Sequence, residues 1–126
     1  MRYHDYHLES YEVADRGEKI TLNLVYGYPG EETDESVITF EEVALYNFVH
    51  TTGAIITDIE EESVGSFLGE IAGEVTEWNR MHGVRYWKDG LESYVEGLAE
   101  KGFKAWRIES AIGFYGFVVA KRVENA

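Results

Sequence analysis

The residues in this chain with the most obvious capacity for chemistry are carboxylates, and they are unevenly placed. Residues 20–79 contain no lysine or arginine, yet they hold thirteen acids: Glu31, Glu32, Asp34, Glu35, Glu41, Glu42, Asp58, Glu60, Glu61, Glu62, Glu70, Glu74 and Glu77. The whole chain of 126 residues has 24 acids against 11 bases, for a net charge of −13, so the imbalance comes from this one stretch. Phosphate would be repelled by it, which argues against a nucleic acid or an anionic membrane as partner. A basic protein partner, a cation, or solubility alone remain as uses for the charge.

A carboxylate serves as a general acid or base only where burial or a like charge raises its pKa. Glu109 near Trp106 and Glu77 beside Trp78 are the candidates by neighbourhood, and a solvated glutamate beside a core tryptophan is the ordinary alternative. His4, Asp5 and His7 come nearest to a metal site. Imidazoles three apart on a strand face opposite sides, however, so they do not readily share an ion. Asp58, Glu60 and Glu62 could gather a hard cation, but the spaced oxygen-ligand loop with its turn glycine is missing. His50 in the β region and His82 near a helix end read as structural.

The sequence Gly65-Ser66-Phe67-Leu68-Gly69 imitates a nucleophile elbow with the serine one place too early, and inside a helix. Gly113 and Gly116 are spaced wrongly for a phosphate loop or a dinucleotide fingerprint. With no cysteine in the chain, disulfides, thiolate metal sites and cysteine nucleophiles are excluded. No catalytic residue, cofactor or metal is therefore expected.

The elements that must position these acids centre on residues 58–82, which read as the main helix. Val64, Phe67, Leu68, Ile71, Val75 and Trp78 recur at helical spacing as one apolar stripe, with Glu70, Glu74 and Glu77 on the opposite face. Thr57 with Glu60, or Asp58 with Glu61, has capping-box spacing, and Glu60, Glu61 and Glu62 would sit at the positive end of the helix dipole. His82 and Gly83 mark its end. Gly65, Gly69 and Gly73 form a flank of small residues that a second helix of the same chain, or another subunit, could approach. Six buried apolar side chains contribute on the order of 10 kcal/mol gross, more than the glycines cost at about 0.5 to 1 kcal/mol each.

Before this helix the pattern is β. Residues 6–28 read as a hairpin turning at Asp15, Arg16, Gly17 and Glu18, and Pro29 and Gly30 stop its second strand. Residues 36–50 read as a long strand with a bulge at Glu41 and Glu42, although a helix over 40–48 competes. Thr51, Thr52 and Gly53 read as a turn into a short strand, 54–57. Beyond residue 83, a connector carries Tyr86 and Trp87. A second helix then starts at Asp89, capped with Glu92, striped by Leu91, Tyr94, Val95 and Leu98, and ended by Gly102. Residues 103–123 read as two strands turning at residues 110–113.

The expected fold is thus α+β: a single domain, 1–126, whose antiparallel sheet of about six strands, in the order β-β-β-β-α-α-β-β, carries two helices on one face. Neither a signal peptide nor an apolar run long enough for a membrane span is visible, so a soluble, cytoplasmic protein is expected.

Three functions fit. The first is a non-catalytic interaction module of inhibitor or immunity type, meeting a basic partner through Glu60, Glu61, Glu62, Glu70, Glu74 and Glu77. The second is a carrier or sensor of a small apolar ligand in a cavity lined by Tyr26, Tyr46, Phe48, Trp106 and Phe117. The third is a small hydrolase or isomerase. The uneven charge favours the first.

Overall fold

β-branched and aromatic residues dominate two long segments of the chain, and each segment runs as one strand from end to end. The computed structural model describes residues 2–82 and 90–125. Among these residues the fold is α+β, with one antiparallel sheet of four strands and two helices: β1 (Arg2–Ala14), β2 (Lys19–Tyr26), β3 (Asp34–Glu62), α1 (Val64–His82), α2 (Leu91–Glu100) and β4 (Lys104–Asn125). The expectation of about six strands is corrected to four, because two predicted turns are not turns.

Thr51, Thr52 and Gly53 form a wide bulge: His50 pairs with Phe114 and Ile55 with Ile112, so β3 spends three extra residues without reversing direction. Gly53 and Gly113 both take positive φ, 78° and 77°, where glycine is unstrained. A glycine on each strand thus helps bend one long ribbon where the sequence pattern suggested two hairpins. Residues 40–48 are strand, and the left-handed Glu42 (φ 53°) marks the irregularity expected there.

The bend lets β3 pair twice with the first hairpin. β2 runs along its beginning, from Lys19 opposite Glu41 to Tyr26 opposite Asp34. β1 meets it again near its end, with Tyr6 opposite Ile56 and His7 opposite Ile55. β1 also pairs with β2, so the three strands close on themselves. A seam stays open in this ring: β1 beyond His7 and β3 over 42–54 are not paired with each other among the described residues. Side chains bridge it, with the Tyr11 ring 5.1 Å from both Phe48 and His50.

Two cores result, one on each side of the ribbon. Inside the ring pack Ile20, Leu22, Leu24, Ile38, Phe40, Ile56, Ile59, Trp106, Ile108 and Val118. Against the outer face, α1 and α2 bury Val64, Phe67, Leu68, Ile71, Val75 and Leu98 on Leu45, Ala105, Phe117 and Val119. Alternate residues of a strand face opposite sides, so β4 is buried at five consecutive positions, 116 to 120. Along β3 the phase shifts at Glu42, bringing Val43 inward after Ile38 and Phe40. A second irregularity between Val43 and Leu45 restores it for Tyr46 and Phe48.

The start of α1 is also corrected, from residue 58 to Val64. Residues 58–62 pair with β4, from Asp58 opposite Glu109 to Glu62 opposite Ala105. Ile59 is fully buried in the inner core, and that pairing outweighs the local capping signals of Thr57 and Asp58. Ser63 caps the helix instead, accepting from the Ser66 amide at 3.2 Å. Of the glycine flank, Gly65 is approached by Val95 of α2, whereas a methyl group at Gly69 or Gly73 would meet nothing within 4 Å. Gly102 ends α2 in the left-handed conformation expected of it (φ 84°). The side chains of Trp78 and His82, the cap at Gly83, the connector at 84–88 and the cap at Asp89 lie outside the described residues.

Two glycine substitutions should act in opposite directions. At Gly116 a methyl group would stand 2.6 Å from the Phe48 ring and 2.9 Å from the Asn47 carbonyl, so Gly116→Ala should destabilise the protein by about 1–3 kcal/mol. Gly69→Ala adds a methyl group in open space within a helix and should stabilise it by about 0.5–1 kcal/mol. Urea unfolding of the two variants measures both, and a stabilised Gly116→Ala protein would contradict the packing described.

Candidate functional site

The carboxylates divide by what neutralises them. Arg107 is the only base in residues 105–120, and on β4 it faces the helix layer. Its guanidinium lies 5.1 Å from the centre of the Phe67 ring and donates to Glu62 at 2.8 Å and Glu70 at 2.7 Å. The two carboxylates hold its pKa above the ordinary arginine value. Strand β3, helix α1 and strand β4 are thereby pinned at one half-buried point. Lys104 pairs with Glu61 at 3.1 Å, and Arg80 pairs with Glu77 one turn away on α1, lowering that carboxyl's pKa. Arg122 neutralises Glu41 at 3.1 Å and also binds Glu42.

Of the six residues that the sequence nominates for a basic partner, Glu61, Glu62, Glu70 and Glu77 therefore already hold a cation of the same chain. Glu60 and Glu74 form no ion pair among the described side chains. The six are not one patch either. Glu60, Glu61 and Glu62 end a strand with side chains alternating between faces, and Glu70, Glu74 and Glu77 lie along α1.

A different group gathers around the first half of β1. Asp58 stands directly opposite Glu109 across β3 and β4, where like charges are unfavourable. With His4 and Thr57 they line a recess of about 240 Å³. Partial burial first, then the charges of Glu60 and Asp58, push the Glu109 carboxyl above its usual 4.5, against a smaller opposing effect of Arg107. Of the two glutamates singled out near tryptophans, Glu109 is thus raised and Glu77 lowered, and the charges that raise Glu109 are those of other acids.

On the other side of β1, three half-buried tyrosines form a ladder: Tyr6 to Tyr26 at 5.4 Å and Tyr26 to Tyr28 at 5.1 Å between ring centres. Each hydroxyl donates to an acidic residue: Tyr6 to the Asp34 carboxylate, Tyr26 to the Glu31 carboxylate, and Tyr28 to the Asp5 carbonyl at 2.7 Å. The Tyr26 phenol is pushed up to about 12, chiefly by that bond to Glu31. Asp5 itself has φ of 65°, an uncommon conformation at the point where β1 leaves register with β3.

His4 lies 3.5 Å from Asp5, and the His7 ring packs on Tyr28 at 5.3 Å. Among the described residues there is no group of three or more histidines and acids able to hold a metal. The aromatic set named for a ligand cavity is divided. Trp106, Tyr46 and Phe48 belong to the inner core and Phe117 to the outer one, while Tyr26 is in the surface ladder.

Sequence reasoning missed Arg107 as a staple and the tyrosine ladder. The signal for Arg107 was a single base among apolar β residues in an acid-rich protein; the ladder had none, because Tyr6 and Tyr26 meet only through strand register.

No family model, curated protein or solved structure matches this chain.

The raised Glu109 pKa fixes the sign of a pH effect. Its folded value lies above its unfolded one, so its contribution is most favourable below about 4.5 and is lost as pH rises through the folded value. Relative to wild type, Glu109→Gln should therefore gain stability between about pH 4 and pH 7. Urea midpoints of the two proteins across that range supply the check. A difference that stays flat with pH would show an unstrained carboxyl.

Proposed function

We propose that this protein is a non-catalytic interaction module, of the inhibitor or immunity type, that binds a basic segment of a partner protein. The contact surface in this reading is the first half of β1 and its surroundings: Asp5, Glu31 and Asp34 with the tyrosine ladder on one side, and Asp58, Glu60 and Glu109 on the other. The observation that carries it is the confronted pair Asp58 and Glu109, with Glu60 beside them: partial burial and, after it, the charges of Glu60 and Asp58 raise the pKa of Glu109.

Carboxylates forced together are relieved by a cation, and a partner's lysine or arginine would supply one. The neighbouring tyrosines add the flat, partly apolar surface on which such side chains pack. The acids of α1 take a smaller part in this reading, because Glu70 and Glu77 already face Arg107 and Arg80.

Fluorescence anisotropy with labelled octalysine tests the reading. Binding should weaken steeply between low and high salt, as expected for contacts between exposed charges. The double variant Asp58→Asn, Glu60→Gln should bind roughly tenfold more weakly, the equivalent of about 1.4 kcal/mol, whereas Glu74→Gln should bind as wild type does. Salt-insensitive binding, or a loss seen only in the α1 variant, would sink the proposal.

A further inference from the structure

The open seam has the form of a strand-shaped vacancy between two backbone edges. On one wall, β1 pairs with β2 from His7 to Ala14, and its opposite edge has no strand beside it beyond His7 among the described residues. On the other wall, β3 over 42–54 pairs only toward β4; its free edge carries one backbone bond, from the Val43 amide to the Glu18 carbonyl at 3.0 Å. Bulges sit on both walls, between Leu8 and Ser10 and between His50 and Ile55, and turn the strands apart where they would otherwise zip together.

Between the walls lies a cleft of about 820 Å³. Leu8, Glu9, Ser10 and Tyr11 line one side of it, and His50 to Ala54 line the other. Tyr11 and His50 are its aromatic lining: Tyr11 hydrogen-bonds His50 Nδ1 at 3.3 Å and packs edge-on against Phe48.

Backbone amides and carbonyls along a free edge are a template for another strand, and natural proteins usually blunt such an edge or use it. Among the described residues this one is not blunted by lysine, proline or a covering helix: no described lysine or arginine lines the cleft, and Glu9 and Glu12 are exposed along it.

We propose that the seam between β1 and β3 is a docking groove for an extended, lysine- or arginine-bearing peptide segment of a partner protein, which adds to the sheet as a strand. Backbone pairing would supply the affinity. Alternate side chains would point toward Tyr11 and His50 and out toward Glu9 and Glu12. The sign of the partner's charge rests on the function proposed above; its extended conformation rests on the seam alone.

The test uses the full chain and an eight-residue peptide of alternating lysine and valine, compared with the same peptide N-methylated throughout. The two probes carry equal charge, but the second cannot donate backbone hydrogen bonds. The unmodified peptide should bind at least about tenfold more tightly and slow amide hydrogen exchange over residues 9–13 and 50–53.

Equal binding of the two peptides, or protection confined to the surroundings of Asp58 and Glu109, would overturn the groove while leaving the charge-based function standing. Failure of the alternating peptide to bind while octalysine binds would do the same, and failure of both probes would remove both. A dimer in sedimentation, with those amides already protected in the absence of peptide, would overturn the proposal by assigning the seam to a second copy of the chain.

Discussion

The constraint on which the rest of this structure depends is the continuous antiparallel pairing of β3 with β4, from Ile38 opposite Asn125 to Glu62 opposite Ala105. A two-stranded ribbon of that length is not stable alone in water. It persists here because both of its faces are covered: the bent ribbon and the first hairpin enclose one core, and the helices lie on the other side. Val118 and Phe117 are adjacent in the chain and buried in different cores. A substitution along 117–120 is therefore felt on whichever side its side chain faces, while the shared backbone pairing ties the two cores together.

Bending the ribbon has a second effect. Positive-φ glycines at 53 and 113, one on each strand, turn it without breaking its direction, and this is what brings the end of β3 back to the start of β1. Closure is incomplete because the bulge lies on the stretch of β3 that would have paired with Leu8 to Tyr11. The same irregularity that closes the ring at His7 and Ile55 leaves a seam beside it, so the groove follows from how the ring closes and is not an independent feature.

Electrostatics in the folded chain differ from those of the linear one. A base-free stretch suggests a uniformly negative half, yet β4 and the end of α1 bring Arg107, Lys104, Arg122 and Arg80 to that half's glutamates. Such exposed or half-exposed pairs are individually weak. Collectively they decide where charge is left over. Part of it remains around β1, where strand pairing sets Asp58 against Glu109 and where Asp34 and Glu31 serve as acceptors for tyrosine hydroxyls, and part on the helices, where Glu74 has no ion pair among the described side chains.

Local pattern alone determined the α+β class, the apolar stripe from Val64 to Val75, the hairpin turn at Asp15 to Gly17 and the stop at Gly102. In each case neighbours within a few residues supply the signal: helical or two-residue periodicity, and glycine where φ is positive. Tertiary structure decided everything that needs a distant partner. Thr51-Thr52-Gly53 has the same composition whether it turns or bulges, and only pairing with β4 selects the bulge. Thr57 and Asp58 have the spacing of helix caps, but Ile59 buries itself in the inner core, and 58–62 remain strand. Which glutamates keep their charge was likewise beyond the sequence, because Arg107 reaches Glu62 and Glu70 across 45 and 37 residues of chain, a closeness that register and packing create.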